Sequence, residues 1–408
     1  MNIVKKIRMI CTNVDANNNK FWEATLYDND TFNVLYGRVG YSGTEEGPFP
    51  GGEKALNKKI SEKKKKGYTE FTGLAVGQNK QEIVQENLQE VAKKQIQYTN
   101  PILEKLIQRL VQSNIHNIVS NTNIKYDIKS GLFSTPLGII TIESINKARN
   151  LLALLKHDMD KKVLAEYLML VPHDLGMSKV SSFIDSFSFD KELNILDSLE
   201  ASFQTVQTSK PVESENKDVP KIFEVKLSFV DQKDSQYSLV EEWYESSKKR
   251  MHGYDNVKIA NIYEVSISSM DQAFTEKGVK YGNIEKVFHG TSEANLLSIL
   301  KSGLKVSPPS TAYIAGKMFG NGVYGAKESS KALGYTFGRW GGSVAQSGWL
   351  FVCNFAMGKT YDPTHSGSPP SGYDSTWAKA KKCGLYHDEL IVYKNEQIQI
   401  THLLECKR

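Results

Sequence analysis

The chain contains 408 residues, of which 40% are hydrophobic and 24% are charged, and its formal net charge is +5. These proportions are typical of a globular protein, and the length suits two or three domains with cores of their own. The net charge is too small to indicate a nucleic-acid-binding protein by itself, so the positions where lysines cluster are more informative.

Four cysteines, Cys11, Cys353, Cys383 and Cys406, occur without a Cys-x-x-Cys spacing. Their scatter argues against a disulfide framework and against a zinc finger, and it favours a reducing compartment. The N-terminal segment has no sustained apolar core, and no run approaches the roughly 20 apolar residues of a membrane span. The sequence therefore predicts a soluble, intracellular protein with no membrane partner.

The N-terminal region has the alternation of an antiparallel sheet. Residues 20–27 alternate with a period of two, Asp28-Asn29-Asp30 is a turn, and Phe32 to Val39 forms a second strand. After a break rich in Gly and Pro, Glu53 to Lys66 reads as a lysine-rich helix. A lysine run of this kind is also typical of a solvated helix face.

The middle of the chain is predicted to be an all-α bundle. Apolar residues recur at helical spacing in runs that begin at Ile102, Ile142 and Leu193, and Thr141 is a candidate N-cap. Thr208 to Lys221 is polar and bounded by prolines, as expected of a linker.

The C-terminal half is predicted to be a strand-rich α+β domain. Strands are expected at residues 223–229, 258–267, 349–355, 390–393 and 398–404, with helices at residues 237–249 and 296–300. No Gly-x-Gly-x-x-Gly motif follows the first strand, which excludes a Rossmann domain.

This half also contains the groups that a dinucleotide pocket needs. His289 and Thr291 can hydrogen-bond a ribose, and Gly290 lets the backbone approach a ligand closely. Tyr324 and Tyr335 offer flat faces for stacking a pyridine ring. His387-Asp388-Glu389 opens an apolar run that reads as a buried strand with a carboxylate at its mouth.

His289, Tyr335 and Glu389, with the Gly-x-Gly-x-Tyr turn that ends at Tyr324, resemble the poly(ADP-ribose) polymerase family. Residues 303–309 and 318–324 follow in the order and spacing of that family. The resemblance implies the split β-sheet fold of ADP-ribosyltransferases, NAD⁺ as the substrate and no metal.

Two further segments carry the same resemblance. Tyr36-Gly37-Arg38-Val39-Gly40 resembles the signature of a WGR domain, although Tyr36 stands where the family has Trp. This implies binding to DNA strand breaks through Tyr36 and Arg38, with Lys63 and Lys64 attracting phosphates. Residues 170–177 and 195–199 resemble the regulatory helical domain, which in the family covers the donor pocket until DNA is bound. Asp197 would then lie nearest the adenosine, whereas His173 is interpreted as structural.

The expected fold is therefore multidomain α+β, with a WGR-like DNA-binding domain at residues 1–85, a helical domain at 95–210 and a catalytic domain at 218–408. The resemblance assigns Glu389 to catalysis with His289 and Tyr335, and Gly290 to the nicotinamide amide. The remaining residues divide between the donor, namely Thr291, Asn295, Lys305, Tyr324 and Tyr335 beside His289, and the acceptor side, namely Met318 and Lys331. Ala332 occupies the position of a serine that donates a hydrogen bond to the nicotinamide amide in the family.

The sequence thus predicts a glycosyltransferase of the pentosyl type that acts in the DNA damage response and DNA repair. It is expected to be a monomer that adds poly(ADP-ribose) to itself and other proteins, in the nucleus of a eukaryote or the cytoplasm and nucleoid of a bacterium. Three alternatives stay open: single ADP-ribosyl transfer, modification of nucleic-acid ends, and an inactive scaffold that binds DNA ends.

Overall fold

A computed structural model describes residues 1–13, 18–38, 43–70, 88–128, 131–135, 138–173, 180–207, 223–306, 318–337 and 347–408. The chain divides into two compact units: unit 1 comprises Met1–Asn87 and Ile115–Glu213, and unit 2 comprises Leu88–Asn114 and Ser214–Arg408. Both contain helices and sheets, which confirms the expected multidomain α+β class. The units cut the chain at other positions than the three expected domains, and those domain boundaries stay predictions.

Unit 1 begins with a five-stranded antiparallel sheet of order β4-β3-β2-β1-β5. Its elements are β1 (Ile3–Asn13), β2 (Asn18–Tyr27), β3 (Thr31–Arg38), β4 (Thr44–Pro50), α1 (Gly52–Lys65) and β5 (Thr69–Glu70). Alternate side chains of β1, β2 and β3, among them Met9, Trp22 and Val34, pack with Leu56 of α1 in one core. The period-two alternation predicted from the sequence therefore identifies the side chains that pack against α1.

The opposite face of this sheet is also covered, by helices of unit 1. Ile10, Phe21 and Leu35 belong to the same apolar cluster as the helices. On this face Arg8 and Glu23 form a buried ion pair, and Lys6 Nζ lies 2.7 Å from Glu23 Oε1. The sheet is thus buried on both faces rather than on one.

Beyond α1, unit 1 contains the helices α4 (Ile142–His157), α5 (Lys161–Leu170), α6 (Val180–Ser186) and α7 (Phe189–Gln207). Thr141 is the N-cap of α4, as predicted, because its hydroxyl accepts the Ser144 N–H at 3.2 Å. A small sheet of β7 (Lys125–Asp127), β8 (Leu132–Thr135) and β9 (Gly138–Ile139) precedes α4. The prediction of an all-α region missed it because strands of two to four residues show no period.

Two expectations about unit 1 residues concern His173 and Asp197. His173 Nε2 lies 2.9 Å from Glu192 Oε2, which also accepts the Tyr167 hydroxyl at 2.6 Å, a pattern that suits a structural role. Asp197 accepts a hydrogen bond from Arg149 at 2.5 Å, and its place beside the adenosine stays a prediction. Parts of three quoted motifs, residues 39–40, 174–177 and 307–309, lie outside the described residues.

Unit 2 begins with α2 (Leu88–Gln95), β6 (Gln97–Tyr98) and the first part of α3 (Pro101–Asn121), which continues into unit 1. β6 pairs in parallel with β10 (Val225–Val230), and Gln95 Oε1 accepts the Phe223 N–H at 3.2 Å. Residues expected to belong to a helical domain therefore pack in the same unit as the catalytic half.

The rest of unit 2 forms two sheets with helices packed on them. Its further helices are α8 (Ser235–Ser246), α9 (Ser268–Glu276), α10 (Glu293–Ser302) and α11 (Ser329–Thr336). Its further strands are β11 (Lys258–Ile267), β12 (Ile284–Thr291), β13 (Val323–Gly325), β14 (Ser347–Ala356), β15 (Thr360–Tyr361), β16 (Ser375–Ala378), β17 (Glu389–Val392) and β18 (Ile398–Lys407). The sheet orders are β12-β14-β18-β11-β10-β6 and β13-β17-β16-β15.

In the described part of unit 2, an isolated backbone bridge joins the two sheets, between Phe288 of β12 and Ala326 beyond β13. The Phe288 N–H donates to Ala326 O at 2.8 Å, and the Ala326 N–H donates to Phe288 O at 3.0 Å. Trp243 of α8 stacks on Phe288 with ring centroids 3.8 Å apart. Across the described ranges, no helix is both long and apolar enough to cross a membrane.

Candidate active site and nucleic-acid face

The junction of the two sheets places His289 beside Tyr324. His289 Nδ1 lies 2.8 Å from Tyr324 O, and a carbonyl only accepts, so Nδ1 carries the proton. Burial lowers the pKa of His289, against an opposing effect of the Tyr324 carbonyl. The imidazole is therefore neutral near pH 7, and its Nε2 is left as a hydrogen-bond acceptor.

Gly290 presents backbone groups to the gap between the sheets. Among the described strands, β12 lies at the edge of its sheet and has β14 as its neighbour there. Because Phe288 bonds Ala326 through both its N–H and its C=O, the strand repeat of two turns the N–H and C=O of Gly290 to the same side. This side offers one donor and one acceptor to a ligand.

Gly290 is also the point where β12 approaches α11 most tightly. A Cβ built on Gly290 would lie 2.0 Å from Ala332 O and 3.3 Å from Tyr335 Cβ. Only glycine fits without moving the backbone of α11. The structure therefore brings Tyr335 directly against the strand that carries His289.

The two tyrosines differ in how they are held. The Tyr324 hydroxyl donates to Gly320 O and accepts the Phe319 N–H, both at 2.9 Å, so its ring is fixed. The side chain of Tyr335 is 53% exposed, which leaves part of its ring surface free for a ligand. Burial of the Tyr335 hydroxyl and the charge of Glu389 raise its pKa to about 12.

Glu389 begins β17 and forms an ion pair with Lys331 of α11. Lys331 Nζ lies 2.9 Å from Glu389 Oε1 and also donates to the carbonyls of Asp388 and His387, at 3.1 and 3.4 Å. Asp388 is turned elsewhere, because its carboxylate accepts the Trp377 indole N–H at 2.7 Å. Lys331, predicted on the acceptor side, thus contacts the catalytic candidate itself.

The remaining predicted donor and acceptor residues lie at different depths. Thr291 is buried at the end of β12, and Asn295 Nδ2 donates to its hydroxyl at 3.4 Å. Met318 packs in the apolar cluster that contains Tyr324 and Phe319. Lys305 is exposed, and no described contact of Lys305 joins it to these residues.

Sequence reasoning missed the side chains that hold the far side of α11. His252 Nδ1 and the Lys249 N–H both bond Ser330 Oγ at 2.8 Å. The ring of His252 lies 4.1 Å from that of His387, centroid to centroid. His252 and Ser330 are distant in sequence and belong to no motif, so nothing in the sequence pattern indicated the contacts.

Within the described residues, no cluster of His, Cys, Asp and Glu has the arrangement of a metal site. The expectation that the protein needs no metal stays a prediction.

The predicted DNA-binding side chains lie on β3 and α1 of unit 1. Tyr36 donates its hydroxyl to Glu46 at 2.6 Å. Lys63 Nζ lies 5.9 Å from the Tyr36 ring, 5.7 Å from the Trp22 ring and 4.9 Å from the Tyr68 ring. Burial, followed by the charges of neighbouring lysines, lowers the pKa of Lys63. Lys63 therefore supports a cluster of aromatic rings by cation–π contacts.

Two other cations are better placed for a polyanion. Lys64 is exposed in the last turn of α1. Arg38 ends β3, where it pairs in register with the exposed Lys20 of β2. This end of the sheet is basic.

Comparison with known proteins agrees with both regions. The family model for the poly(ADP-ribose) polymerase catalytic domain matches residues 234–384, and the model for the WGR domain matches residues 5–73. The chain is similar to the poly(ADP-ribose) polymerase family in both its catalytic-domain region and its WGR region. Its activity is therefore ADP-ribosyl transfer with NAD⁺ as the substrate. Glu389 lies beyond the range that the catalytic-domain model matches, so its role rests on its position in the structure.

Relatives in this family match most of the chain. Poly [ADP-ribose] polymerase 2 of Arabidopsis thaliana is 24% identical over 97% of this chain and 72% of its own length. Protein mono-ADP-ribosyltransferase PARP3 of Mus musculus is 27% identical over 97% of this chain and 86% of its own length. Poly [ADP-ribose] polymerase 2 of Homo sapiens is 22% identical over 88% of this chain and 66% of its own length. The relatives thus include both polymerases and a mono-transferase.

Ala332, the expected departure from the polymerase family pattern, is buried in α11. Neighbouring serines do not replace a missing hydroxyl there. Ser329 Oγ donates to Tyr244 O at 2.7 Å, and Ser330 Oγ is engaged by His252 and the Lys249 N–H. Ala332 therefore predicts weaker binding of the donor and of nicotinamide-like inhibitors, without compensation from these two residues.

We predict that Gly290→Ala impairs both stability and turnover of NAD⁺. The added methyl group meets Ala332 O at 2.0 Å, and backbone must move to relieve it. Overpacking of this kind costs about 1–3 kcal/mol. Thermal unfolding and nicotinamide release measure the two effects.

Gly253→Ala is the matched control for this prediction. Gly253 has a φ of 73° and nothing within 4 Å of a built Cβ, so the change adds strain without crowding. We expect Gly253→Ala to lose about 1 kcal/mol of stability and to keep its turnover. Normal turnover by Gly290→Ala would contradict the tight approach of β12 to α11.

Proposed function

We propose that the protein is a DNA-break-activated enzyme that builds poly(ADP-ribose) on itself and on other proteins and releases nicotinamide. The observation that carries the proposal is the convergence of His289, Tyr335 and Glu389 on one gap between two sheets. Contacts through Tyr324, Gly290 and Lys331 link the three.

Donor binding follows from the groups that line the gap. The N–H and C=O of Gly290 match the carbonyl and amino groups of a carboxamide, and Tyr324 and Tyr335 supply aromatic faces for the nicotinamide ring. The neutral Nε2 of His289 accepts a ribose hydroxyl, and Thr291 and Asn295 extend this polar side toward the adenosine. We assign Lys305 a weaker role there because it is exposed.

Catalysis follows from the position of Glu389 at the mouth of β17. Cleavage of the bond between nicotinamide and ribose builds positive charge on the sugar, as in glycosidases. The carboxylate stabilises this charge and polarises an acceptor hydroxyl. Lys331 contacts one oxygen of the Glu389 carboxylate and the carbonyls of the two residues before Glu389. The carboxylate is therefore oriented before the substrate binds. Met318 lies on the acceptor side.

Polymer synthesis is favoured over single transfer because Glu389 is present. A carboxylate is needed when the attacking group is a neutral sugar hydroxyl, which needs activation. Single transfer is the second candidate, favoured by the similarity to the mono-transferase. Modification of nucleic-acid ends uses the same pocket, and an inactive scaffold is disfavoured because all three residues are present.

Glu389→Gln should abolish polymer and leave faint single transfer or NAD⁺ hydrolysis. Gln keeps the size and one acceptor oxygen but removes the negative charge and the base. Binding of NAD⁺ should stay within about threefold, because the contacts of Gly290, Tyr324 and Tyr335 are unchanged. The measurement is a denaturing gel of protein incubated with labelled NAD⁺, in which polymer appears as a smear.

Glu276→Gln serves as the control, because Glu276 is exposed at the end of α9. We expect it to give the same smear as the unaltered chain. His289→Ala should differ in kind and weaken NAD⁺ binding itself. Long polymer from Glu389→Gln would show that Glu389 is not the catalytic carboxylate.

We propose that broken DNA binds at the basic end of the unit 1 sheet, near Tyr36, Arg38 and Lys64. A WGR domain supports this assignment. Lys64→Gln should weaken DNA binding and reduce the slope of log affinity against log salt by about 1. Titrations of labelled nicked duplex at several salt concentrations measure the slope.

Lys63→Gln is the matched comparison on the same helix. Because Lys63 contacts three aromatic rings, its loss should lower the thermal stability of the chain more than the loss of Lys64 does. Arg38→Ala should cost affinity for broken ends more than for intact duplex. Equal effects of Lys63→Gln and Lys64→Gln on the salt slope and on stability would contradict this division of roles.

Activation by DNA is the third part of the proposal. Labelled NAD⁺ with the full chain should give little product alone and a smear after addition of nicked duplex, because the family's helical domain restricts the donor pocket. The apparent affinity for NAD⁺ is then the affinity of the open form multiplied by the fraction of molecules that are open. Equal product with and without DNA would reject activation, a sharp band would indicate single transfer, and no product at all would favour the scaffold.

A further inference from the structure

Arg109 of α3 clamps two carboxylates of unit 2. Its Nε donates to Glu293 Oε1 at 3.0 Å, its Nη2 contacts Glu293 Oε2, and its Nη1 donates to Glu405 Oε1 at 2.8 Å. Arg109 is 184 residues before Glu293 in sequence, yet both belong to unit 2. The planar guanidinium suits this two-sided contact, which a lysine cannot reproduce.

Further groups complete the network around Arg109. Trp349 donates its indole N–H to Glu293 Oε2 at 2.9 Å, and the guanidinium lies 5.2 Å from the Trp349 ring. Asn261 Nδ2 donates to Glu405 Oε2 at 2.7 Å. Burial would raise the pKa of Glu405, but the hydrogen bonds from Asn261 and Arg109 hold it below its usual range. Lys407 Nζ also lies 3.3 Å from Glu405 Oε1, so Glu405 is a buried carboxylate for which Arg109 is one of several partners.

The network adjoins the polar side of the donor pocket. Glu293 is the first residue of α10 and stands two positions after Thr291. Trp349 is the partner of Thr291 in the pairing of β12 with β14. Asn295, in the first turn of α10, bonds the Thr291 hydroxyl. Arg109 thus restrains both the end of the strand and the start of the helix that carry the ribose-binding candidates.

We propose that Arg109 is a positioning residue of the donor pocket, which sets NAD⁺ affinity by holding Glu293 and thereby Thr291 and Asn295. The inference rests on the proposed donor site. It assigns residues 88–114, which lie outside the catalytic half in sequence, to the unit that binds the donor. Removal of Arg109 should affect donor binding rather than the chemical step, because Glu389 and Lys331 lie outside the network.

The test uses the full chain and compares Arg109→Ala, Glu293→Gln and the double variant. We expect the KM for NAD⁺ to rise about tenfold in Arg109→Ala, because a displaced pocket wall weakens binding, while kcat stays within about twofold. The double variant should be no worse than the poorer single variant, because both changes break one clamp. NAD⁺ binding by calorimetry, in a Glu389→Gln background, provides a readout without turnover.

Lys258→Ala is the control, since the exposed Lys258 lies in β11 of the same sheet and pairs with Glu245 of α8 at 3.1 Å. It should change neither KM nor kcat. Arg109→Lys, which keeps the charge but not the two-sided contact, should give an intermediate KM and covers the case in which Arg109→Ala does not fold. A fall in thermal stability with unchanged KM, or additive effects in the double variant, would overturn the inference.

The two proposals fail in different ways. If the unaltered chain binds NAD⁺ and Arg109→Ala and Arg109→Lys bind it equally well, only the positioning role is rejected. If the unaltered chain neither binds nor consumes NAD⁺ with DNA present, the proposed function fails and the inference fails with it.

Discussion

The catalytic unit depends on one backbone contact, the pair of hydrogen bonds between Phe288 and Ala326 that joins its two sheets. From this contact follow the bond of His289 to the Tyr324 carbonyl and the outward-facing backbone of Gly290. Two such bonds contribute only about 1 kcal/mol each, so packing must secure the junction. Trp243 stacks on Phe288, and a Cβ on Gly325 would lie 2.6 Å from the Val287 side chain. The two sheets therefore pack closely at the junction.

The pocket was predictable from sequence where its parts are local. His289 and Thr291 are two positions apart, so strand periodicity alone places their side chains on one face, on either side of Gly290. The contacts of Lys331 with Glu389 and of Arg109 with Glu293 span many residues, and only the order of the strands brings their ends together. A single sequence does not specify the order of strands in a sheet. A long-range contact of a residue outside any motif therefore cannot be predicted from it.

Lys63 illustrates a different limit of sequence-based prediction. Its position on α1 could have been predicted from helical spacing, but the prediction did not use that spacing. Leu56, Ile60 and Lys63 recur at helical spacing, so the face of α1 that buries Leu56 also carries Lys63 toward the sheet. The lysine run suggested a uniform phosphate-binding surface. Helix periodicity divides that run instead into Lys63, which covers aromatic rings, and the exposed Lys64.

The sheet of unit 1 connects its basic end to the helices through neighbouring residues of β3. Leu35 belongs to the cluster that contains the helices, whereas Tyr36, the next residue, packs on the opposite face with Lys63. The ion pair of Arg8 with Glu23 is buried on the helix-covered face, and desolvation lowers the pKa of Arg8, although Glu23 opposes this.

A buried ion pair offers little net stability, since desolvation offsets its attraction. The helix-covered face of the sheet is thus held mainly by apolar contacts of Ile10, Phe21 and Leu35 rather than by Arg8 and Glu23. Tyr36 at the basic end and Leu35 in the helix-covered core are thus neighbours on one strand, because adjacent side chains of a strand serve opposite faces.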